Sequence, residues 1–379
     1  MPPEPIDLDA QATSPLRPEA LAAMWPLLEG RHWNPHSAHR GGRQAKAVLE
    51  VARMQVAALL GVPAETVVFT SGATEANNLA LKGAMEGAAA KRGRLVTFAT
   101  EHSCVLQSAL HLGRLGRPVA ILPVLADGMP DLAAFAEALA GGDVALVSAM
   151  WVNNEIGSIW PIARMAALAH QYGALFHSDA AQAFGKLGLA DSGADLISLS
   201  AHKIGGPKGI GALYVAPGTK LSPQMDGGYQ EGKIRSGTQA PALAAGFGAA
   251  ASAATPEATA RHARALMAVA LAILAAVPHR VNGPDPRGES RWPGNLSVTF
   301  PGVDSSRLIS ALPGLALSTG SACSSGSGKP SHVLEAIGLS DALAKQTLRL
   351  GWNDSMSKDM FSDALQQLVG VVARLAPNP

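Results

Sequence analysis

Short apolar runs recur along the first two-thirds of this 379-residue chain, each bounded by turn residues and most separated by a helix-length stretch. Residues 67–70, 95–98, 118–122, 144–150, 174–177, 196–199 and 211–215 read as strands. Of these, 67–70 reads as a short buried strand. Helical spacing marks 17–28 and 44–60, and a further helix begins at Glu75, whose acid in the first turn suits the positive end of the macrodipole. Residues 1–15 read as irregular and 34–42 as a loop. The alternation predicts an α/β fold with a mostly parallel, doubly wound sheet, in which ligands gather beyond the carboxyl ends of the strands. From about Ala249 the texture changes to a long alanine-rich helix, then a strand at 295–300, then more helix. The expected organisation is a large domain over 16–248 and a smaller α+β domain made of 1–15 and 249–379.

Composition narrows the class. Apolar residues make up 47% of the chain and charged ones 16%, while 30 Lys and Arg nearly cancel 29 Asp and Glu. A net charge of +1 gives no overall basicity on which to build a nucleic-acid or membrane surface. The two cysteines, Cys104 and Cys323, are too few and too far apart for a disulfide scaffold or a metal knuckle, so no metal site is expected and a reducing cytoplasm fits. The acidic, proline-rich start shows no export signal. The longest apolar run, 265–277, is shorter than the roughly 20 residues that a bilayer demands and reads as a buried helix.

Several strand ends carry chemistry. Ser198-Leu-Ser-Ala-His202-Lys203-Ile-Gly-Gly-Pro-Lys-Gly209 leaves an apolar run and enters a glycine-rich turn. A lysine held there suits a Schiff-base amine, although a lysine before Gly-Gly-Pro is by itself more often a solvated turn residue. Asp179, in Phe176-His-Ser-Asp-Ala-Ala-Gln182, is by itself a cap or turn former. Beside a Schiff-base lysine it gains a second role, because pyridoxal phosphate needs an acid that keeps its ring nitrogen protonated. Gln182 lies where it can bond the cofactor's phenolic oxygen. The small-residue turn Ser71-Gly-Ala73-Thr74 runs into a helix and is either an ordinary connection or a phosphate cradle, with Ser200 and His202 as further ligands. His102 is a packed polar residue or a ring that stacks on the pyridine and moves protons. Cys323 lies in Gly320-Ser-Ala-Cys-Ser-Ser-Gly-Ser-Gly328, with no apolar neighbourhood, and reads as an accessible thiolate, whereas Cys104 beside a strand end reads as buried. Arg349, alternating with apolar residues, could clamp a carboxylate.

Taken in order, these stretches resemble those of the cysteine desulfurases, pyridoxal-phosphate enzymes of the class V aminotransferase group with the type I fold. The resemblance covers nearly the whole chain. It includes Ala12-Thr-Ser-Pro15, Asn34-Pro-His-Ser37, Phe69-Thr-Ser-Gly-Ala-Thr-Glu75, Thr100-Glu-His102, Val152-Asn-Asn-Glu-Ile-Gly157, His177-Ser-Asp-Ala-Ala-Gln182, Ser200-Ala-His-Lys-Ile204, Arg235-Ser-Gly-Thr238 and Gly320-Ser-Ala-Cys323. It implies L-cysteine as substrate, L-alanine as product and a persulfide on Cys323, carried by a long catalytic loop to an acceptor such as an iron-sulfur scaffold. Lys203 is then the Schiff-base lysine, Asp179 the partner of the pyridinium, and Gln182 and His102 contacts of the ring. Ala73, Thr74, Ser200 and His202 hold the phosphate, with Thr238 reaching in from the partner of a homodimer. Asn153, Arg349 and Asn34 face the substrate.

The chain also departs from that pattern. Gly41 stands where an aromatic residue is usual and Gly205 where a tyrosine is, which is expected to open space near the cofactor entrance. Lys329 stands where an acid is common, and Gly-Trp-Asn-Asp354 follows Arg349 in place of a hydroxyl- and arginine-containing run. A selenocysteine lyase, or another carbon-sulfur lyase on the same fold, is the neighbouring enzyme reading. A sulfur carrier or assembly scaffold without catalysis is the non-enzymatic one.

Overall fold

The structure, a computed structural model, describes residues 4–30, 32–88, 92–320 and 331–376. β1 (Ile6–Asp7), α1 (Pro18–Glu29) and α2 (Arg40–Leu60) come first. Strand and helix then alternate through β2 (Val67–Thr70), α3 (Ala73–Glu86), β3 (Arg94–Phe98), α4 (Ser103–Arg114), β4 (Val119–Leu122), α5 (Leu132–Leu139), β5 (Val144–Ser148), α6 (Ile162–Gln171), β6 (Leu175–Asp179), β7 (Leu196–Ser200) and β8 (Gly211–Val215). There follow α7 (Pro241–Ala253), α8 (Pro256–Leu274), β9 (Arg280–Asn282), β10 (Asn295–Thr299), α9 (Ser305–Ala311), β11 (Leu315–Ala316), α10 (His332–Ala336), α11 (Asp341–Ala344), β12 (Thr347–Gly351) and α12 (Lys358–Leu375).

The large sheet has the order β2-β8-β7-β6-β5-β3-β4. Neighbours from β7 to β4 are parallel, and β8 alone is reversed, pairing antiparallel with both β7 and β2. All six other strands therefore end on one edge. β7 is buried along its whole length and β6 nearly so, and the burial takes in the polar His177, Ser178, Ser198 and Ser200 as well as the apolar residues. Phe98, Phe135, Phe176 and Phe184 are fully buried beneath the sheet, and the Phe98 ring meets Trp160 edge-on at 4.8 Å. Each such ring contributes about 1.5–3 kcal/mol by leaving water.

A second, antiparallel sheet of order β12-β10-β9 carries the C-terminal part. Beside it α8 buries Leu266, Met267, Ala270 and Leu274, and α12 buries Phe361, Ala364, Leu365 and Leu368, both at helical spacing. The N-terminal segment joins this part: β1 pairs with β11, and Asp9 bridges to Gly351. Gly351 leaves room for the passing chain: a Cβ there would meet the Gln11 side-chain amide and stand 3.2 Å from the Gln11 backbone nitrogen. That close approach brings the N-terminal segment past the carboxyl edge of the large sheet.

Three expected helix bounds and two expected openings are corrected. α2 starts at Arg40, inside the expected 34–42 loop, because His39 Nδ1 accepts the Gly42 N–H at 3.2 Å and caps the helix. α3 starts two residues before Glu75. The alanine-rich stretch is not one helix but two, α7 and α8, since Pro256 pushes Thr255 out of the helical region. Gly41 does not open the site: the Trp33 ring fills the space, 2.5 Å from where a Cβ would stand. At Gly205 the Arg17 side chain and the Pro15 carbonyl occupy the corresponding space.

Candidate active site

The carboxyl ends of the parallel strands and the passing N-terminal segment enclose a cavity of about 520 Å³. Lys203, Asp179, His102, Thr74, Gln182 and Arg349 all reach it, as do Ala73, Ser200 and His202. Strand register explains the meeting. Asp179 is the last residue of β6 and lies opposite Ser198 on β7, whose chain continues through Ser200 into a single 3-10 turn that ends at Lys203. Carboxylate and amine are thus set on neighbouring strand ends.

The amine is held by backbone. Lys203 Nζ donates to the carbonyls of Gln11 at 2.6 Å and Ala12 at 2.9 Å. Asp179 is buried, with Oδ1 accepting the Ala181 N–H at 2.9 Å and Oδ2 accepting Asn77 Nδ2 at 2.7 Å. Thr74 stands in the first turn of α3, where free backbone N–H groups face the cavity edge. His202 Nδ1 meets Thr13 Oγ1 at 3.0 Å. Burial, then the nearby Lys203, Lys208 and Lys186 cations, push His202 down to about 4, so the ring is neutral at pH 7. Gln182 Nε2 donates to the Gln11 carbonyl at 2.9 Å, and its Oε1 accepts Lys186 Nζ at 3.0 Å.

His102 caps α4, with Nδ1 accepting the Cys104 N–H. Burial lowers its pKa; Asp179 opposes, while Lys203 and His332 act with burial. Beside it Glu101 is fully buried and accepts the Met150 N–H at 2.6 Å, and burial holds its pKa well above the usual carboxyl range.

Arg349, on β12, is buried and already holds a carboxylate, donating to Asp9 Oδ1 at 2.6 Å. A second nitrogen donates to the Asn154 carbonyl at 3.3 Å. Its Nε is buried and has no hydrogen-bond partner among the described residues. Asn153 does not line the cavity: its amide donates to the Thr100 carbonyl and its oxygen accepts the Glu155 and Ile156 N–H groups, which closes the turn after β5. The next residue, Asn154, is the one on the cavity wall. Asn34 and Thr238 are both exposed and away from this cavity, in two loops joined by His36 and Gln239 at 3.0 Å. Cys323 and Lys329 lie outside the described residues. The flanking residues are anchored beside the site: Ser331 Oγ donates to Glu155 at 2.5 Å and His332 Nε2 contacts the Glu101 carbonyl at 2.9 Å.

Sequence reasoning passed over Gln11, Asp9, Asn77 and Asn154. Gln11 acts largely through its carbonyl, which leaves no side-chain signature. Asn77 had a signal, since it stands one helical turn after Thr74 and so on the same face of α3.

Chemistry at the strand ends of such a sheet, with the N-terminal segment passing its carboxyl edge, defines a class. The chain belongs to the aminotransferase class-V family, whose model matches residues 6–357. Within that family it groups with the cysteine desulfurases. The mitochondrial cysteine desulfurase of Arthroderma benhamiae is 41% identical over 385 residues, spanning 98% of this chain and 76% of the relative. Among solved structures, a NifS-like protein superposes with a TM-score of 0.91 at 30% identity, over 98% of this chain and all of the other. SspA in complex with cysteine gives 0.81 at 34% identity, over 91% of this chain and 98% of that one.

Proposed function

We propose that the protein is a pyridoxal-phosphate-dependent cysteine desulfurase that takes sulfur from L-cysteine, leaves L-alanine and carries the sulfur as a persulfide on Cys323. The observation that carries this reading is the meeting of Lys203 and Asp179 on adjacent strand ends of one cavity, with Arg349 on its wall. The residues present fit the cofactor. A buried carboxylate supported by two donors suits a protonated pyridine nitrogen, an amine held near it suits an aldehyde, and a helix N-terminus with Thr74, Ser200 and His202 suits a phosphate. Bound there, the group supplies an electron sink that labilises bonds to the substrate's carbons.

The chain's own residues do the rest. Arg349 and Asn154 orient the substrate, with Asp9 giving up or sharing the guanidinium. Lys203 moves protons at the substrate's carbon from its place under the Gln11 and Ala12 carbonyls. The Cys323 thiolate bonds the substrate sulfur as the carbon-sulfur electron pair stays with carbon, and a proton then completes alanine. Ser331 and His332, which follow Cys323 in the chain, are held at Glu155 and at the Glu101 carbonyl.

A homodimer fits the exposed apolar side chains Trp25, Leu28, Met54 and Tyr229, and the exposed Thr238 is then available to a partner's phosphate site. The sulfur acceptor is a protein, with a cluster scaffold as the first one to try. A reducing cytoplasm keeps Cys104 and Cys323 as thiols. Among the described residues no helix is long and apolar enough to cross a membrane. The test is a Cys323→Ala protein given L-cysteine. It is expected to keep its yellow cofactor while alanine formation and sulfur release stop together, and wild-type turnover by this variant would remove Cys323 from the mechanism.

A further inference from the structure

We propose that Cys104 is a positioning residue that holds His102 as a neutral imidazole with its proton on Nε2, so that this ring serves the cavity as a stacking group and hydrogen-bond donor and not as a base. The donors and acceptors around the thiol can be assigned one by one. The Asn77 amide nitrogen has two hydrogens: one meets Asp179 Oδ2 at 2.7 Å and the other meets Cys104 Sγ at 3.1 Å. The Thr74 hydroxyl is beside the same sulfur and, like Asn77, acts toward it as a donor, so the sulfur is an acceptor toward both and keeps its own hydrogen for another neighbour. His102 Nδ1 lies 3.0 Å away and has a lone pair to receive it. The backbone N–H of Cys104 reaches the same nitrogen at 3.2 Å. A ring nitrogen that receives two donors carries no proton, so the ring's one proton is on Nε2.

The consequence is chemical. To act as a base, the ring would have to take a proton at Nδ1 and turn away both the thiol and the amide N–H. A hydrogen bond to the unprotonated form disfavours the protonated one. The other charged or titratable groups facing the ring are Asp179 from the end of β6, Lys203 from the turn after β7, His332 from α10 and the buried Glu101 beside it. Of these, only Asp179 favours the imidazolium, and burial outweighs it. Burial and Asp179 also push the Cys104 thiol up to about 12, so it remains a donor throughout the neutral range and forms no thiolate-imidazolium pair. Proton transfer at the substrate's carbon is left to Lys203.

That last consequence rests on the proposed function, while the state of the ring does not, and the experiment separates the two. Apo protein labelled with ¹⁵N-histidine is titrated by NMR as wild type, Cys104→Ala and Cys104→Ser. Wild type is expected to show His102 with a proton on Nε2 alone and no protonation through mildly acidic pH. In Cys104→Ala the ring should titrate at a higher pH, because the thiol donor is gone. Cys104→Ser, which restores an O–H donor, should return the titration toward wild type and so separates the donor from altered burial. A proton on Nδ1 of wild-type His102 at neutral pH, or the same titration in wild type and Cys104→Ala, would overturn the proposal. Should Cys104→Ala fail to fold, the wild-type tautomer alone decides. In the loaded enzyme the acid limb of alanine formation should shift to higher pH in Cys104→Ala. A wild-type protein that makes no alanine would count against desulfuration and leave the assignment of the ring intact.

Discussion

Lys203 and Asp179 are separated by 24 positions and brought together by one strand pairing, and each can be tested by a single substitution. Lys203→Ala is expected to lower alanine formation by about 10²–10⁴-fold, the range associated with a positioned proton-transfer group, and to abolish the borohydride-reducible cofactor link. Arg349→Ala should act mainly on KM, by about 10–100-fold, since the charge-assisted bonds it offers to a carboxylate are worth about 1.5–3 kcal/mol. Steady-state kinetics with L-cysteine distinguish the two patterns. An Arg349→Ala enzyme with unchanged KM would mean that the guanidinium serves Asp9 alone. At this scale residue type and place in the chain made Lys203, Asp179, His102 and Arg349 legible as candidates, and all four line the cavity, while the side chains of Asp9 and Asn77 that meet Arg349 and Asp179 were passed over. The sequence was silent about Gln11, which holds the lysine through a carbonyl, and it pointed to Asn153 where the structure has Asn154 on the wall. Adjacent residues alternate in direction, and only the turn geometry says which one faces inward.

The elements are held in place by polar contacts that the apolar pattern does not reveal. Arg53 of α2 donates to both oxygens of Glu231, at 2.6 and 3.0 Å, and Glu231 also accepts the Phe69 N–H of β2 at 2.9 Å. Both side chains are nearly fully buried, so the pair ties a helix, a strand and the 231–239 loop into one unit. Next to it Arg235 meets Glu75 at 2.7 Å and fastens the same loop to the first turn of α3. Arg53→Met is expected to cost about 3–5 kcal/mol in urea denaturation, because it strands a buried carboxylate. Adding Glu231→Gln should recover part of that loss, and a double variant no more stable than the single one would contradict the account. The strands of the large sheet were legible to within a few residues from their apolar runs, whereas β1, β9 and β11, two or three residues each, carried no such signal. Helix end points were not legible: His39 capping and Pro256 decided where α2 and α8 begin.

For the whole molecule, acid stability has an identifiable source in the sheet. His177 of β6 is completely buried between Ser148 and Ser198, at 2.8 and 3.0 Å, and burial pushes its pKa down to about 3 from an ordinary 6.5. Between those two values the unfolded chain binds a proton that the folded chain does not. Stability is therefore complete above about 6.5 and falls as the pH drops toward 3, by about 1.4 kcal/mol per pH unit for this one group. His177→Gln should flatten that limb of the stability curve, as read by denaturant midpoints across acidic pH. An unchanged limb would assign the loss to the carboxylates. The same pairing that buries His177 sets Asp179, two residues on, in the wall of the cavity.

What the sequence determined by itself was local: which stretches are buried strands, which turns feed helices, and which reactive side chains stand at their ends. Those properties depend on windows of a few residues, in which periodicity and turn chemistry act. Only the tertiary structure decided that β8 runs against its neighbours and that Gln11 and Ala12 cross to Lys203. It also decided that Asp9 meets Arg349, 340 positions away, and that Cys104 touches His102 and Asn77 at once. Such contacts follow from how the small sheet packs on the edge of the large one and from the room that residues such as Gly351 leave for a passing chain. Packing of that kind is a property of the assembled molecule, and no short stretch of the sequence encodes it.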